Sequence, residues 1–225
     1  MGVFGILADS FQTIKSFVLR QGRLTLGQSR ALNELWPKFG KTINEGMFNA
    51  EQQFPSKGPL YLEIGFGMGD SLADQARSNP SANYLGVEVH RPGVGHLLLL
   101  IEQYRLRNLC IYFEDSISVL TEVIPDCSLD VVQIFFPDPW PKKKHHKRRI
   151  FKKEFTGLLQ KKLKSSGIVH VATDWLPYAE EIEAVFTLNS QFIQIPAPSR
   201  PQTKFESRGI KLGHKIYDLA FKLLH

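Results

Sequence analysis

Residues 131–149 read VVQIFFPDPWPKKKHHKRR, and the rest of the chain is best understood from this stretch. Five of the six residues at 131–136 are apolar, and β-branched and aromatic types dominate, so they predict a buried β-strand. The strand must end at Pro137, because prolines cannot donate to a sheet. Asp138 and Trp140 are therefore expected on a stiff loop at the strand's C-terminal end, the edge where open α/β sheets bind ligands.

The densest charge run follows directly, since residues 142–149 contain four lysines, two arginines and two histidines. The whole chain has 28 basic and 22 acidic residues, so subtracting the six Lys and Arg of this run leaves 22 of each sign. Localised positive charge favours a dedicated binding surface. A solvated face or a localisation signal is the alternative, but flanking apolar sequence favours contact with nucleic acid.

Length and composition predict one α/β domain with some extra length, because 225 residues with a 43% hydrophobic fraction can bury a real core. Cys110 and Cys127 have neither metal-site spacing nor the number typical of a disulfide scaffold, and Cys110 is expected to be a small buried residue. The apolar start of the chain is short and lacks a basic leader, which predicts no signal peptide. No apolar run is long enough to span a bilayer, so a soluble, cytoplasmic protein without a membrane partner is expected.

Strand and helix patterns alternate from residue 60 onward. Strands are predicted at 60–64, 84–89, 109–113, 131–136, 168–172, 192–195 and 215–221, and helices at 70–77, 93–107, 116–124, 150–163 and 177–188. Repeated βα units predict a doubly wound, mostly parallel sheet with helices on both faces.

The turn signal Gly58-Pro59 predicts a boundary between an N-terminal extension at 1–57 and a main domain at 58–225. The extension is expected to hold a helix within residues 1–20 and an extended basic arm at 20–30. Its three arginines are expected to contact RNA, and a solvated extension is the alternative.

A glycine-rich turn connects the first predicted strand to the first predicted helix. Gly65, Gly67 and Gly69 permit a tight turn and close approach of a nucleotide-like cofactor. Their Gly-x-Gly-x-Gly spacing does not match the Gly-x-Gly-x-x-Gly of dinucleotide binding, which argues against an NAD-dependent oxidoreductase.

Four acids lie at or just after the C-terminal ends of four successive predicted strands: Glu63, Glu88, Asp115 and Asp138. Glu88 is placed to accept from a ribose diol, and Asp115 to meet an adenine amino group or to cap a helix. Glu63 is placed to orient the glycine turn or to accept from a cationic amine. The set suits a positively charged adenosine ligand without phosphate, which describes S-adenosyl-L-methionine.

Six motifs together resemble the tRNA (guanine-N7)-methyltransferase family, bacterial single-chain type, and the likeness runs from Ser16 to Phe221. They are FVLRQGR at 17–23, LEIGFGMG at 62–69, GVEVH at 86–90, FFPDPWP at 135–141, ATDW at 172–175 and TKFESRG at 203–209. The resemblance implies that the main domain at 58–225 is a methyltransferase domain, with a seven-stranded, Rossmann-like methyltransferase sheet whose last strand is antiparallel. It also implies transfer of a methyl group from S-adenosyl-L-methionine to N7 of guanosine 46 in the tRNA variable loop.

The resemblance also implies roles for particular residues. The cofactor-binding set is Glu63, Gly65, Gly67, Gly69, Glu88, Asp115 and Asp138. The substrate-binding set is Lys142, Asp174, Thr203, Lys204, Phe205 and Glu206. The RNA-contacting set is Lys144, His145, His146, Lys147, Arg148 and Arg149. No metal site is expected, because His145 and His146 have no third ligand nearby, and no obligate protein partner is expected.

Guanine N7 has an in-plane lone pair and no proton to lose, so positioning should matter more than a strong base. Asp138 is predicted to be catalytic by stabilising the cationic product, with Asp174 as second candidate or helix cap. Trp140 is expected either to stack on the base or to pack under its loop. Residues 200–209 are interpreted as a polar loop, in which Glu206 would read the guanine edge. Two alternatives stay open: a methyltransferase for another RNA or base, and a non-catalytic RNA-binding protein of the same fold.

Overall fold

The computed structural model describes residues 15–17 and 22–225, and the helix predicted within residues 1–20 falls largely outside them. The described part contains one sheet of eight strands. They are β1 (Gly40–Lys41), β2 (Leu60–Ile64), β3 (Asn83–Val87), β4 (Leu109–Tyr112), β5 (Leu129–Phe135), β6 (Leu163–Thr173), β7 (Phe192–Ile195) and β8 (Tyr217–Leu223).

The strand order is β1-β4-β3-β2-β5-β6-β8-β7, with β8 antiparallel to both of its neighbours and the other pairs parallel. The predicted mostly parallel sheet with an antiparallel last strand is confirmed. The predicted count of seven strands is one too low, because Gly40 and Lys41 pair with Ile111 and Tyr112 at the sheet edge. Two residues are too few to show the alternation by which a strand is recognised.

Helices cover both faces of the sheet. They are α1 (Leu26–Glu34), α2 (Trp36–Phe39), α3 (Ala50–Gln53), α4 (Asp70–Ser78), α5 (Arg91–Tyr104), α6 (Ser116–Ser118), α7 (Lys153–Lys162), α8 (Leu176–Thr187) and α9 (Lys204–Lys211). One apolar cluster packs α1, α4 and α5 on one face, and a second packs α7 and α8 on the other. Within the described residues, no helix combines the length and the apolar character needed to cross a membrane.

Two helices replace segments that were predicted to be irregular. Helix α1 begins where the basic arm was expected, so the arm prediction is wrong from Leu26 to Arg30; Thr25 and Gln28 form a capping box that starts it. Helix α9 replaces the loop predicted at 200–209 from Lys204 onward, and Thr203 and Glu206 form its capping box. Both Thr-x-x-(Gln/Glu) signals are visible in the sequence, so both helix starts were predictable from it.

The turn between β2 and α4 is held by the first turn of α5. Gly67 has a φ of +60°, and a Cβ built on Gly93 would collide with the Gly67 carbonyl oxygen. This close approach requires glycine at position 93, because the obstacle is backbone and cannot rotate away.

We therefore expect Gly93→Ala to lower the free energy of unfolding by about 1–3 kcal/mol, since the added methyl group must displace the glycine turn. Gly157→Ala is the matched control, because Gly157 lies in α7 with nothing within 4 Å of its built Cβ. That control should raise the free energy of unfolding by roughly 0.5–1 kcal/mol. Urea unfolding of both variants is the measurement, and equal effects would contradict this packing.

Candidate functional site

The chain bends sharply where β5 ends. The backbone N–H of Phe136 still donates to the Ala172 carbonyl at 2.7 Å, yet Phe136 has a φ of +53° and Trp140 a φ of +45°. Non-glycine residues rarely adopt the left-handed region, and such strain concentrates at functional sites. The bend leaves Asp138 exposed at the sheet edge, as predicted from the prolines.

A cavity of about 250 Å³ opens at this edge. The ends of four successive parallel strands contribute Gly65 after β2, Glu88 after β3, Glu114 and Ser116 after β4, and Phe136 to Asp138 after β5. Phe17 and Ile150 complete its wall. This is the edge at which ligands of open α/β sheets bind.

The three glycines of the turn have different roles. Each has a positive φ, +74° at Gly65, +60° at Gly67 and +80° at Gly69. A Cβ built on Gly65 or Gly67 meets nothing within 4 Å, whereas one built on Gly69 lies 2.8 Å from the Leu97 Cβ. Gly65 and Gly67 therefore leave room for a ligand, and Gly69 provides room for α5.

Glu88 holds the glycine turn in shape. Its carboxylate accepts from the backbone N–H groups of Gly67 at 2.7 Å, Val89 at 2.7 Å and His90 at 2.9 Å. The role of orienting the glycine turn, which was predicted for Glu63, thus belongs to Glu88. Glu88 also lines the cavity, and its contact with a ribose diol stays a prediction.

Glu63 lies buried beside the cavity rather than in its wall. Its hydrogen-bond contact is with the Gln75 side-chain amide at the long distance of 3.5 Å. Burial raises the pKa of Glu63 to about 8, and the positive charge of Arg200 only partly offsets this. A buried carboxylate with so weak a partner favours a cationic ligand.

Asp115 caps a helix, which is one of the two roles considered for it. Its carboxylate accepts from the Ile117 N–H at 2.8 Å, and its neighbours Glu114 and Ser116 line the cavity instead. Of the four predicted acids, Glu88 and Asp138 share the cavity wall, while Glu63 and Asp115 lie outside it. Glu114 lines the cavity but was not predicted, because the neighbouring Asp115 was chosen as the acid at the end of this strand.

Helix α9 connects three strand ends. Lys204 pairs with Asp70 at 2.8 Å, at the start of α4. The Phe205 ring packs on Phe136 with centroids 5.1 Å apart. A Cβ built on Gly209 would lie 3.9 Å from the Asp174 carboxylate.

Glu206 is buried and already engaged. Its carboxylate accepts from the Thr203 N–H at 3.3 Å and from Arg200 at 2.6 Å. Thr203 in turn accepts from the Glu206 N–H at 3.0 Å, so both side chains serve the helix cap. This geometry does not support the predicted reading of guanine by Glu206.

Asp174 accompanies α9 rather than capping α8. Its carboxylate lies 2.9 Å from the His214 Nδ1. The N-cap residue of α8 is Trp175, whose N–H donates to the Thr173 hydroxyl at 3.2 Å. The helix-cap alternative for Asp174 is therefore wrong, and its substrate-binding role stays a prediction.

Arg200, which the sequence analysis did not select, joins α9 to β8. Its guanidinium also donates to Asp218 at 2.7 Å and lies 4.6 Å from the centroid of Phe135. Burial opposes ionisation of Asp218, but hydrogen bonds from His170 and Arg200 outweigh it and hold the Asp218 pKa below its usual value. A lone arginine in a proline-rich segment has no pattern that would reveal this.

The basic run forms a 3₁₀ turn at Lys143–Arg148. Lys142, Lys144 and Lys147 are exposed. The turn wraps the indole of Trp140, with His145 edge-on at 5.8 Å and Arg148 over its face at 5.1 Å. Trp140 also donates to the Ser16 carbonyl at 3.2 Å, so the alternative of packing under its loop is the one observed.

Arg149 differs from the rest of the run because its side chain is 3% exposed. It pairs with Glu181 on α8, donates to the Pro139 carbonyl at 2.8 Å and lies 4.9 Å from the Tyr178 ring. Its predicted RNA contact is therefore corrected: Arg149 anchors the loop, and its charge does not reach solvent.

Comparisons with known proteins found relatives that match most of the chain. The family model described as "Putative methyltransferase" matches residues 57–219. A tRNA (guanine-N(7)-)-methyltransferase from Alcanivorax borkumensis is 51% identical over 93% of this chain and 91% of its own length. One of the same name from Yersinia pestis is 47% identical over 95% of this chain and 92% of its own.

Solved structures support the fold. The 16S rRNA methyltransferase KamB has a TM-score of 0.60 at 13% identity, covering 80% of this chain and 95% of its own. The tRNA (m1A58) methyltransferase TrmI of Aquifex aeolicus has a TM-score of 0.52 at 13% identity, covering 92% of this chain and 72% of its own. Both likenesses concern the fold of this chain.

The raised pKa of Glu63 predicts a pH-dependent stability. A carboxyl whose pKa is raised on folding makes its full contribution to the free energy of unfolding below the pKa of the unfolded chain. That contribution is lost as the pH rises through the folded pKa of about 8. Glu63→Gln cannot ionise, so we expect it to gain stability relative to the parent protein between pH 5 and pH 8. Urea unfolding at several pH values measures this difference.

The control is Glu51→Gln, because Lys57 holds the pKa of the exposed Glu51 below its usual value. This control should show no relative gain over the same range. If the free energy of unfolding of Glu63→Gln followed pH in parallel with that of the parent protein, burial of an ionisable carboxyl at this position would be refuted.

Proposed function

The chain belongs to the tRNA (guanine-N(7)-)-methyltransferase family, and we propose that it transfers a methyl group from S-adenosyl-L-methionine to N7 of a guanosine in tRNA. One observation supports this most directly. A cavity lined by the Gly65 turn, Glu88 and Asp138 opens at the C-terminal edge of the sheet, beside an exposed cationic turn. A methyl donor and a polyanionic acceptor can therefore meet at Asp138.

The residues around the cavity fit S-adenosyl-L-methionine. The open space over Gly65 and Gly67 admits a ligand against the backbone, and Glu88 supplies carboxylate oxygens at the end of β3. The buried Glu63, whose pKa is raised to about 8 in the free protein, can ionise against an ammonium group that binds beside it. When bound, the cofactor supplies a methyl group made electrophilic by a positively charged sulfur.

Asp138 is proposed to act on the acceptor base. Guanine N7 attacks with its own lone pair, so the protein needs no general base. The methylated base carries a positive charge, and a carboxylate held beside it stabilises the charge that develops during transfer. Asp138 lines the cavity on a loop that Arg149 and Trp140 anchor, which favours a defined position.

The exposed part of the basic run is proposed to hold the tRNA. Lys142, Lys144 and Lys147 present their charges to solvent next to the cavity. His145, His146 and Arg148 complete this surface, and Arg149 is removed from it. We further propose guanosine 46 of the variable loop as the target, and action in the cytoplasm without an obligate protein partner.

We expect Asp138→Asn to lower the rate of methyl transfer by about 100-fold or more, because the amide cannot stabilise the cationic base. Its affinity for tRNA should change little. Incorporation of labelled methyl groups into unmodified tRNA measures the rate, and digestion of the product identifies the methylated position. Normal turnover by this variant would reject the role of Asp138, and label outside guanine N7 would reject the proposed reaction.

Two sets of variants separate the exposed run from its buried end. Replacing Lys143, Lys144 and Lys147 by Gln should weaken tRNA binding and reduce the slope of log K against log salt by about 2, at roughly 0.7–0.9 per lost phosphate contact. Arg149→Gln should instead lower the free energy of unfolding by roughly 1–3 kcal/mol, because Glu181 and the Pro139 carbonyl lose their donor. Filter binding measures the tRNA affinity and urea unfolding the stability. The assignment would be refuted if the lysine variant lost stability while Arg149→Gln lost tRNA affinity.

A further inference from the structure

Helix α9 presents most of its surface to solvent. Of its eight residues, Glu206 and Gly209 are the buried ones. It carries three partly exposed apolar residues, Phe205 (56%), Ile210 (45%) and Leu212 (69%), the last at the C-cap. A helix so loosely covered by its own chain has a large surface available for a partner.

The charges on this helix are unbalanced once ion pairs are assigned. Between Thr203 and Lys215 the sequence contains four Lys and Arg and one acid, Glu206. Glu206 is neutralised by Arg200. The other acids in contact are also engaged, Asp70 with Lys204 and Asp174 with His214. Within the described chain, Arg208, Lys211 and Lys215 form no ion pair.

These three cations lie at the same sheet edge as the cavity. Strand β8 starts at Tyr217, opposite Thr173 at the C-terminal end of β6, so the segment preceding β8 lies beyond that end. Helix α9 reaches α4 through Lys204 and Asp70, on one face of the sheet. The basic turn is tied to α8 through Arg149 and Glu181, on the other face. The two cationic surfaces therefore flank the end of β5 from opposite sides.

We propose that the outer side of α9 and the turn after it form a second RNA-binding surface, in which Arg208, Lys211 and Lys215 contact phosphates. This inference rests on the proposed function, because the same tRNA would span the cavity between α9 and the Lys143–Arg148 turn. RNA is favoured over a protein because the surface combines unpaired cations with a half-exposed phenyl ring. Such combinations bind backbone phosphates and unstacked bases.

The test replaces Arg208, Lys211 and Lys215 together by Gln in the full chain. We expect the Kd for unmodified tRNA to rise by about tenfold or more at low salt, with the salt slope reduced by roughly 2–3. The matched control replaces Arg105, Arg107 and Lys161 by Gln. These side chains are also exposed and form no ion pair within the described residues, and they precede β4 and β6 at the opposite sheet edge. The control removes the same charge and should leave the Kd and the slope near those of the parent protein.

The outcomes separate this inference from the proposed function. If the parent protein forms N7-methylguanosine but the α9 variant binds tRNA as tightly as the control does, the second surface is refuted and the proposed function stands. If the parent protein transfers no methyl group to tRNA, the proposed function itself fails. A change of oligomeric state in the α9 variant, seen by light scattering with unchanged tRNA affinity, would assign this surface to a second copy of the chain and overturn the inference.

Discussion

The sheet edge at which the cavity opens depends on a buried guanidinium. The Arg200 side chain is 4% exposed, and a buried charge is tolerated only when it is fully paired. Glu206 and Asp218 supply the partners, and they belong to α9 and β8. Because the guanidinium also covers Phe135, it joins the last residue of β5 to α9 and to β8. The strained Phe136 follows directly, so this pairing supports the bend from which Asp138 is presented.

The acids near the cavity divide into those that shape the protein and those free to meet a ligand. Glu88 accepts three backbone N–H groups and keeps the glycine turn open. Asp115 and Glu206 cap helices. Glu63 has a single long contact and a raised pKa, and Asp138 is exposed at the cavity. Glu63 and Asp138 are consequently the two carboxylates with most to gain from cationic partners.

Local patterns predicted most of the sheet and the position of the cavity. Strand β5 and its prolines placed Asp138 correctly at the C-terminal edge of the sheet, where the cavity opens, because apolar periodicity and the missing proline N–H are local properties. Burial of Arg149 and Arg200 was beyond such reasoning. Arg149 looks like Arg148 in the sequence, and what distinguishes it is Glu181, 32 residues away. Helix α9 is a different case, since its capping box was readable and only its polar composition concealed it.

Counting charges along a chain also differs from counting them on a surface. Outside residues 142–149 the chain is balanced at 22 of each sign, which pointed to a single basic region. Folding distributes these charges unevenly, however. Glu206 is paired with Arg200 and Asp70 with Lys204, which leaves the cations at the end of α9 without an acid beside them. Arg149 is likewise withdrawn from the run that was counted as basic. The positive surface at the Lys143–Arg148 turn is therefore smaller than the sequence predicted, and the α9 side of the cavity carries cations that a count along the chain did not reveal.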